Sequence, residues 1–212
     1  IGFRICWEGS GLIKALIKRR IWLWKNRLIP SVFLFFFMPI IAFFLISIPL
    51  KNIIRFSISG VSYDIWVFPG LIFIISSFGL YPLIYRELFD LRVHKKVLVN
   101  IALAPFNKST LIFGNLLVAI FEALVMSFFS IFIYLSIVPI SFSITEFTSL
   151  VFFLILYLFM IGNIYIFLSI SIDAITTMVL TSFLFFIFIM FGNGFLIEFS
   201  FFPSFIDSVL KY

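Results

Sequence analysis

An all-helical integral membrane protein is the fold class this sequence predicts, and three observations predict it. Of the 212 residues, 64% are hydrophobic and only 11% charged, with a mean hydropathy of +1.28. Soluble chains carry about 45–50% apolar and about 25% charged residues. Apolar runs of roughly 20 residues, the length a helix needs to cross hydrocarbon, recur five times. Lys and Arg gather between alternate runs, as the bias that orients membrane proteins requires. A soluble fold of this length has too little interior to hide so much apolar surface. The chain therefore reads as one transmembrane domain, 1–212.

The first element is "GLIKALIKRRIWLWKNR", residues 11–27. Leu12, Ile13, Leu16, Ile17, Ile21 and Trp24 recur at helical spacing, while Lys14, Lys18 and Lys25 fall on another face. This pattern predicts a basic amphipathic helix lying in the membrane interface. Lys14, Lys18, Arg19 and Arg20 would reach anionic headgroups and Trp24 would anchor the membrane end. A plain topogenic signal before a span is the alternative.

Five spans follow, at 28–50, 65–84, 111–138, 150–172 and 176–196. Prolines 30, 39, 49, 69 and 82 lie in or beside the first two spans, where neighbouring helices can satisfy the freed carbonyls. Arg4, Lys14, Lys18, Arg19, Arg20, Lys25 and Arg27 precede the first span. Arg86, Arg92, Lys95, Lys96 and Lys108 separate the second from the third. The outer loops are poor by comparison: Lys51 and Arg55 follow the first span, and 139–147 has no basic residue. The N-terminus is therefore expected in the cytoplasm, in a multi-pass protein of the cell membrane. Residues 192–212, "GNGFLIEFSFFPSFIDSVLKY", are apolar but broken by Gly192, Gly194, Glu198, Pro203 and Asp207. They predict an outer re-entrant segment rather than a span. Because the chain begins at Ile1 and stops without a return span, the expectation is a fragment truncated at its C-terminal end.

Enzyme chemistry finds little to work with. A zinc peptidase needs clustered histidines, and the only one is His94; the only cysteine is Cys6. There is no glycine-rich phosphate loop, so no cofactor, metal or nucleic acid is expected. The 34 Phe residues read as lipid-facing side chains rather than as aromatic ligands. Two features exceed what topology needs. Glu122 lies about 17 Å into the third span at 1.5 Å per residue, where a carboxylate is costly and marks function by default. It could line a substrate path, meet a partner subunit, or be held near Asn115 or Ser127. Residues 85–109, "YRELFDLRVHKKVLVNIALAPFNKS", add Glu87, Asp90 and an apolar run to a loop that needs only Lys and Arg to set topology.

Several features, in order, resemble the permease subunit of type-2 ABC exporters, the bacterial class that moves polysaccharides, drugs and lipid-linked glycans. The helix bearing Lys18-Arg19-Arg20 resembles that family's connecting helix. "YDIWVFPGLIF", with Pro69-Gly70, resembles its approach to the second span. "KKVLVNIALAPFNKSTLIFGNLL", with Ala104-Pro105 and Gly114, resembles its cytoplasmic loop. Gly194 and Phe202-Pro203 resemble its outer segment. The resemblance covers roughly 11–212. It departs from the family at Val97, Leu98, Val99 and Asn100, where many members carry Gly-Thr and an acidic residue, and in lacking a sixth span.

The resemblance implies a permease half that pairs with a second copy, and a separate cytoplasmic ATPase that hydrolyses the ATP. It also implies a coupling helix within 85–109. Leu98, Ile101, Leu103 and Pro105 would seat it, and Arg86, Glu87, Asp90 and Arg92 would form its charged rim. A haem-export permease of cytochrome maturation, or a non-transport membrane scaffold, stands as the alternative.

Overall fold

A computed structural model describes residues 2–26, 28–54, 62–96, 100, 103, 108–138 and 143–197. Among them every regular element is helical. Helix α1 spans Gly2–Asn26 and α2 spans Leu28–Ala42. A π-helical stretch, Phe43–Ser47, leads into α3, Ile48–Ile53. Helix α4 spans Tyr63–Ile84 and continues as a π-helix over Tyr85–His94. Helices α5, Lys108–Ile137, and α6, Ile144–Ser171, are the longest. Helix α7, Ile175–Ile187, ends in a π-helical turn at Phe188–Gly192.

Five helices are long and apolar enough to cross a membrane: Phe36–Ile53, Tyr63–Tyr81, Lys108–Ile137, Ile144–Ser171 and Ile175–Gly192. The five apolar runs of the sequence therefore each become one helix, with ends that move by a few residues. The first is not a plain α-helix. Pro39 lacks a backbone N–H, and its carbonyl accepts a 2.9 Å hydrogen bond from Tyr134 Oη on α5. A ladder broken at a proline and drawn on from outside tolerates a wider turn, and the π stretch begins four residues on. The start of α6 is set locally. Glu146, three residues after Ser143, accepts the Ser143 N–H at 2.9 Å, as the acidic member of a capping box does.

Helix α4 is the hub. Most of its spanning window is buried, because α5 and α6 pack along it. Leu71, Ile72, Ile74, Ile75 and Leu80 are almost wholly enclosed. In a bilayer the hydrocarbon outside would be as apolar as these side chains, leaving fit and hydrogen bonds to do the joining. Ser76 Oγ shares a hydrogen bond with Ser127 Oγ of α5, and Ser77 Oγ pairs with Tyr157 Oη of α6 at 2.8 Å. The outward faces carry a different load. Phe121, Phe132, Phe152, Phe153, Phe167 and Phe183 are all more than half exposed, as side chains meeting lipid are.

At one end of the bundle the chain folds back after α7. Gly194 takes φ 68°, a conformation only glycine adopts without strain. The turn brings Phe195 onto the ring of Phe73, with centroids 5.3 Å apart. Leu196 is fully buried, and its carbonyl accepts from Tyr63 Oη at 3.1 Å. Gly70 is where this segment touches α4: a Cβ there would lie 2.4 Å from the Phe195 carbonyl oxygen. The described part of the expected re-entrant segment thus turns back onto the bundle. Residues 198–212 lie outside the described residues. Lys51 and Asp64 are paired at the same end, 2.5 Å apart.

Candidate functional site

The opposite end holds most of the described basic residues, and two polar constructions there join surface elements to spanning helices. The first begins with α1. Its amphipathic pattern gives it one face to bury, and α5 receives it. Leu16, Arg19, Arg20 and Leu23 face Asn115, Val118 and Ala119 across a narrow crevice. Within that contact Arg20 Nε donates to Glu122 Oε2. The two side chains are only 10% and 12% exposed. A guanidinium and a carboxylate so enclosed hold each other's charge, because neither can recover water while the helices stay docked.

The depth of this pair follows from the register of α2 against α5. Phe36 meets Phe129 with ring centroids 5.3 Å apart, and Pro39 meets Tyr134. The two helices run parallel, so Leu28, eight residues before Phe36, is level with Phe121. Glu122 therefore sits about level with the start of α2. Helix α5 has 30 residues and is about 45 Å long, against about 30 Å of hydrocarbon. Its first turns project beyond the start of α2.

The second construction is the π-helical extension of α4. Residues 85–94 read as the start of a loop in the sequence; they prolong the helix by ten residues. Phe89 and Leu88 bury one side of it. Arg92 turns back toward the bundle. Its Nη1 lies 2.9 Å from Asp173 Oδ1 and its Nη2 donates to the Ile172 carbonyl, in the turn between α6 and α7. Its Nε is buried without a hydrogen-bond partner among the described residues. Asp90 binds locally instead: Oδ1 is 3.2 Å from His94 Nδ1 and Oδ2 is 2.9 Å from Lys95 Nζ. The hydrogen bond from Lys95 is the main reason the Asp90 carboxyl titrates below its ordinary range, with the charges of Lys95 and His94 adding to it. Residues four and five apart are the natural neighbours on a π-helix, whose turn is wider than 3.6 residues. Asp90 therefore reaches forward to His94 and Lys95.

The residues singled out from the sequence are not brought to one place. Lys14, Lys18 and Arg19 are exposed on α1, whereas Arg20 is buried against Glu122. Trp24 lies on α1, and Arg86 and Glu87 on the π-helical extension, but their side chains lie outside the described residues, as do Leu98, Ile101 and Pro105. Leu103 is described and is 79% exposed. Arg92 is half-buried in the chain itself, where the sequence placed it on a charged rim. Sequence reasoning missed Arg20 as the partner of Glu122, and Asp173 with the Ile172 carbonyl as the partners of Arg92. One signal was available for the first: a carboxylate near a membrane boundary needs a cation, and α1 carries the nearest supply on the same side. Ser127, a suggested partner for Glu122, bonds to Ser76 and the Ala123 carbonyl.

Among the described residues, no group of three or more His, Cys, Asp and Glu stands close enough to hold a metal ion. No protein-family model, curated protein or solved structure matches the chain.

Proposed function

We propose that the chain is the membrane-spanning permease subunit of an ATP-driven exporter, acting as one of two copies with separate ATPases beneath it. The observation that carries this reading is that two surface elements at one end, α1 and the π-helical extension of α4, are each fastened to spanning helices. Arg20–Glu122 ties α1 to α5, and Arg92 ties the extension to the turn between α6 and α7. A displacement applied to either element from below is delivered to the spans rather than lost in a loose loop. A transporter driven by an external motor needs such a linkage; an anchor does not.

The Lys and Arg bias puts this end in the cytoplasm, where an ATPase would be. The order of the Lys18-Arg19-Arg20, Pro69-Gly70, Ala104-Pro105 and Gly194 motifs resembles type-2 ABC exporters and supports the same reading. In this account the segment 85–109 meets the ATPase, with apolar anchors at Leu98, Ile101 and Leu103 and a charged rim at Glu87 and Asp90. Contacts of that composition suit a groove with a wet edge. ATP-driven closure of the ATPases tilts α1 and the extension, and the path between the two permease copies opens outward.

The test is purification of the tagged chain from its native membranes in mild detergent, with mass spectrometry of what accompanies it. An ABC ATPase in comparable amount, with ATP hydrolysis by the complex, is the expected result. The reading fails if no ATPase accompanies the chain, or if reversing charge at Glu87 and Asp90 leaves the assembly unchanged.

A further inference from the structure

The docking of α1 on α5 leaves a second hollow beside the first. It encloses about 360 Å³ and is walled by Ile17, Ile21, Leu117 and Phe121, with Arg20 and Glu122 at its inner end. Its walls are almost wholly apolar. Ile17, Ile21 and Phe121 are 43%, 63% and 69% exposed, so the hollow opens sideways along the surface of a spanning helix. Three exposed lysines of α1 lie at helical spacing from its two isoleucines. Lys14 precedes Ile17 by three residues, Lys18 precedes Ile21 by three, and Lys25 follows Ile21 by four. Residues at these spacings adjoin on a helix surface, so the lysines form a row beside the two isoleucines.

An apolar slot on the side of an apolar helix, beside a positive row, has the layout of a phospholipid. We infer that the hollow holds an acyl chain of an anionic phospholipid, with its negative headgroup drawn to the row of Lys14, Lys18 and Lys25. Charge complementarity selects the headgroup: none of the described side chains of α1 is acidic. The walls select the chain, since a polar or peptide occupant would lose hydrogen bonds there and regain none. A chain in the slot also seals the inner end, where Arg20 meets Glu122, from water. The bound lipid would hold α1 against α5. This site follows from the α1–α5 contact alone and does not rest on the exporter reading.

The test is native mass spectrometry of the full chain in detergent, titrated with phosphatidylglycerol or with phosphatidylcholine. The wild type should retain one phosphatidylglycerol in clear preference to phosphatidylcholine. A basic residue at an anionic surface is worth about fivefold in binding. Replacing Lys14, Lys18 and Lys25 together by Gln on the exposed face should therefore lower the preference roughly tenfold or more. Ile17→Trp, which fills the slot and keeps the lysines, should displace the retained lipid, and circular dichroism of each variant shows that the helices persist. Equal retention of both lipids by the wild type overturns the inference. So does undiminished phosphatidylglycerol retention in both folded variants.

Discussion

Arg20 of α1 donates its Nε hydrogen to Glu122 of α5, a residue 102 positions later in the chain, and both side chains are nearly enclosed. The pair explains how a helix that the sequence lays flat on a membrane surface becomes part of the bundle. Breaking it from one side takes a close counter-charge from a nearly enclosed ion. Arg20→Met or Glu122→Met should each cost about 3 kcal/mol, whereas making both changes together should cost less than either single change. Unfolding of the four proteins in mixed micelles closes the cycle. Costs that simply add would show that the two side chains do not act on each other.

Two glycines separate a contact that can yield from one that cannot. A Cβ at Gly70 would lie 2.4 Å from the backbone oxygen of Phe195, and one at Gly162 would lie 2.4 Å from Leu116 Cδ1. The second obstacle is the tip of a side chain with other rotamers; the first is a carbonyl fixed by the fold-back of 193–197. Gly70→Ala should destabilise by about 1–3 kcal/mol and Gly162→Ala by less. Thermal melts of the two variants in one detergent decide it, and the reverse order would contradict the placement of Phe195.

The Asp90 carboxyl is held below its ordinary range, first by the Lys95 hydrogen bond. A lowered folded value means that the contact stabilises at pH above the unfolded carboxylate value of about 3.9, and that its contribution is lost as pH falls through the lowered value. The local cluster at His94 and Lys95 should therefore be unchanged by acidification from pH 7 to 5 as far as Asp90 is concerned, and weaken only in stronger acid. Hydrogen exchange at 90–96 in wild type and Asp90→Asn reads this. Loss of protection in both proteins alike would remove Asp90 as the cause.

Arg92 and Asp173 form an unequal pair, 23% and 88% exposed. An exposed partner contributes little, so Asp173→Asn should cost less than about 1 kcal/mol. Arg92→Met also removes the bond to the Ile172 carbonyl and should cost more. Exchange rates in the 172–176 turn measure both, and a larger effect from Asp173→Asn would contradict the geometry.

The five spanning helices were legible because a bilayer demands a fixed length of apolar residues, and runs such as Leu150–Ile172 meet it with few interruptions. The π-helical extension was not. "YRELFDLRVH" loses the apolar character that marked α4, yet a helix satisfies its own backbone and does not stop where hydrophobicity does. Its end instead depends on Phe89 finding a buried place and on Arg92 reaching Ile172 and Asp173, about 80 residues away. Glu122 was legible as a residue needing explanation. Its partner was hidden because charge alone does not tell which of Lys14, Lys18, Arg19 and Arg20 turns inward. That choice is made by the angle at which Leu16 and Leu23 seat α1 on α5.

If an ATPase drives this chain from its basic end, the segment 85–109 should lie against it. The most direct measurement places a photo-crosslinking amino acid at Leu103, exposed in the proposed contact segment, and as a control at Ile144, 83% exposed at the far end. After irradiation in native membranes, the account predicts an ABC ATPase joined at residue 103 and none at residue 144. Capture of no ATPase from residue 103, or equal capture from both positions, would contradict it.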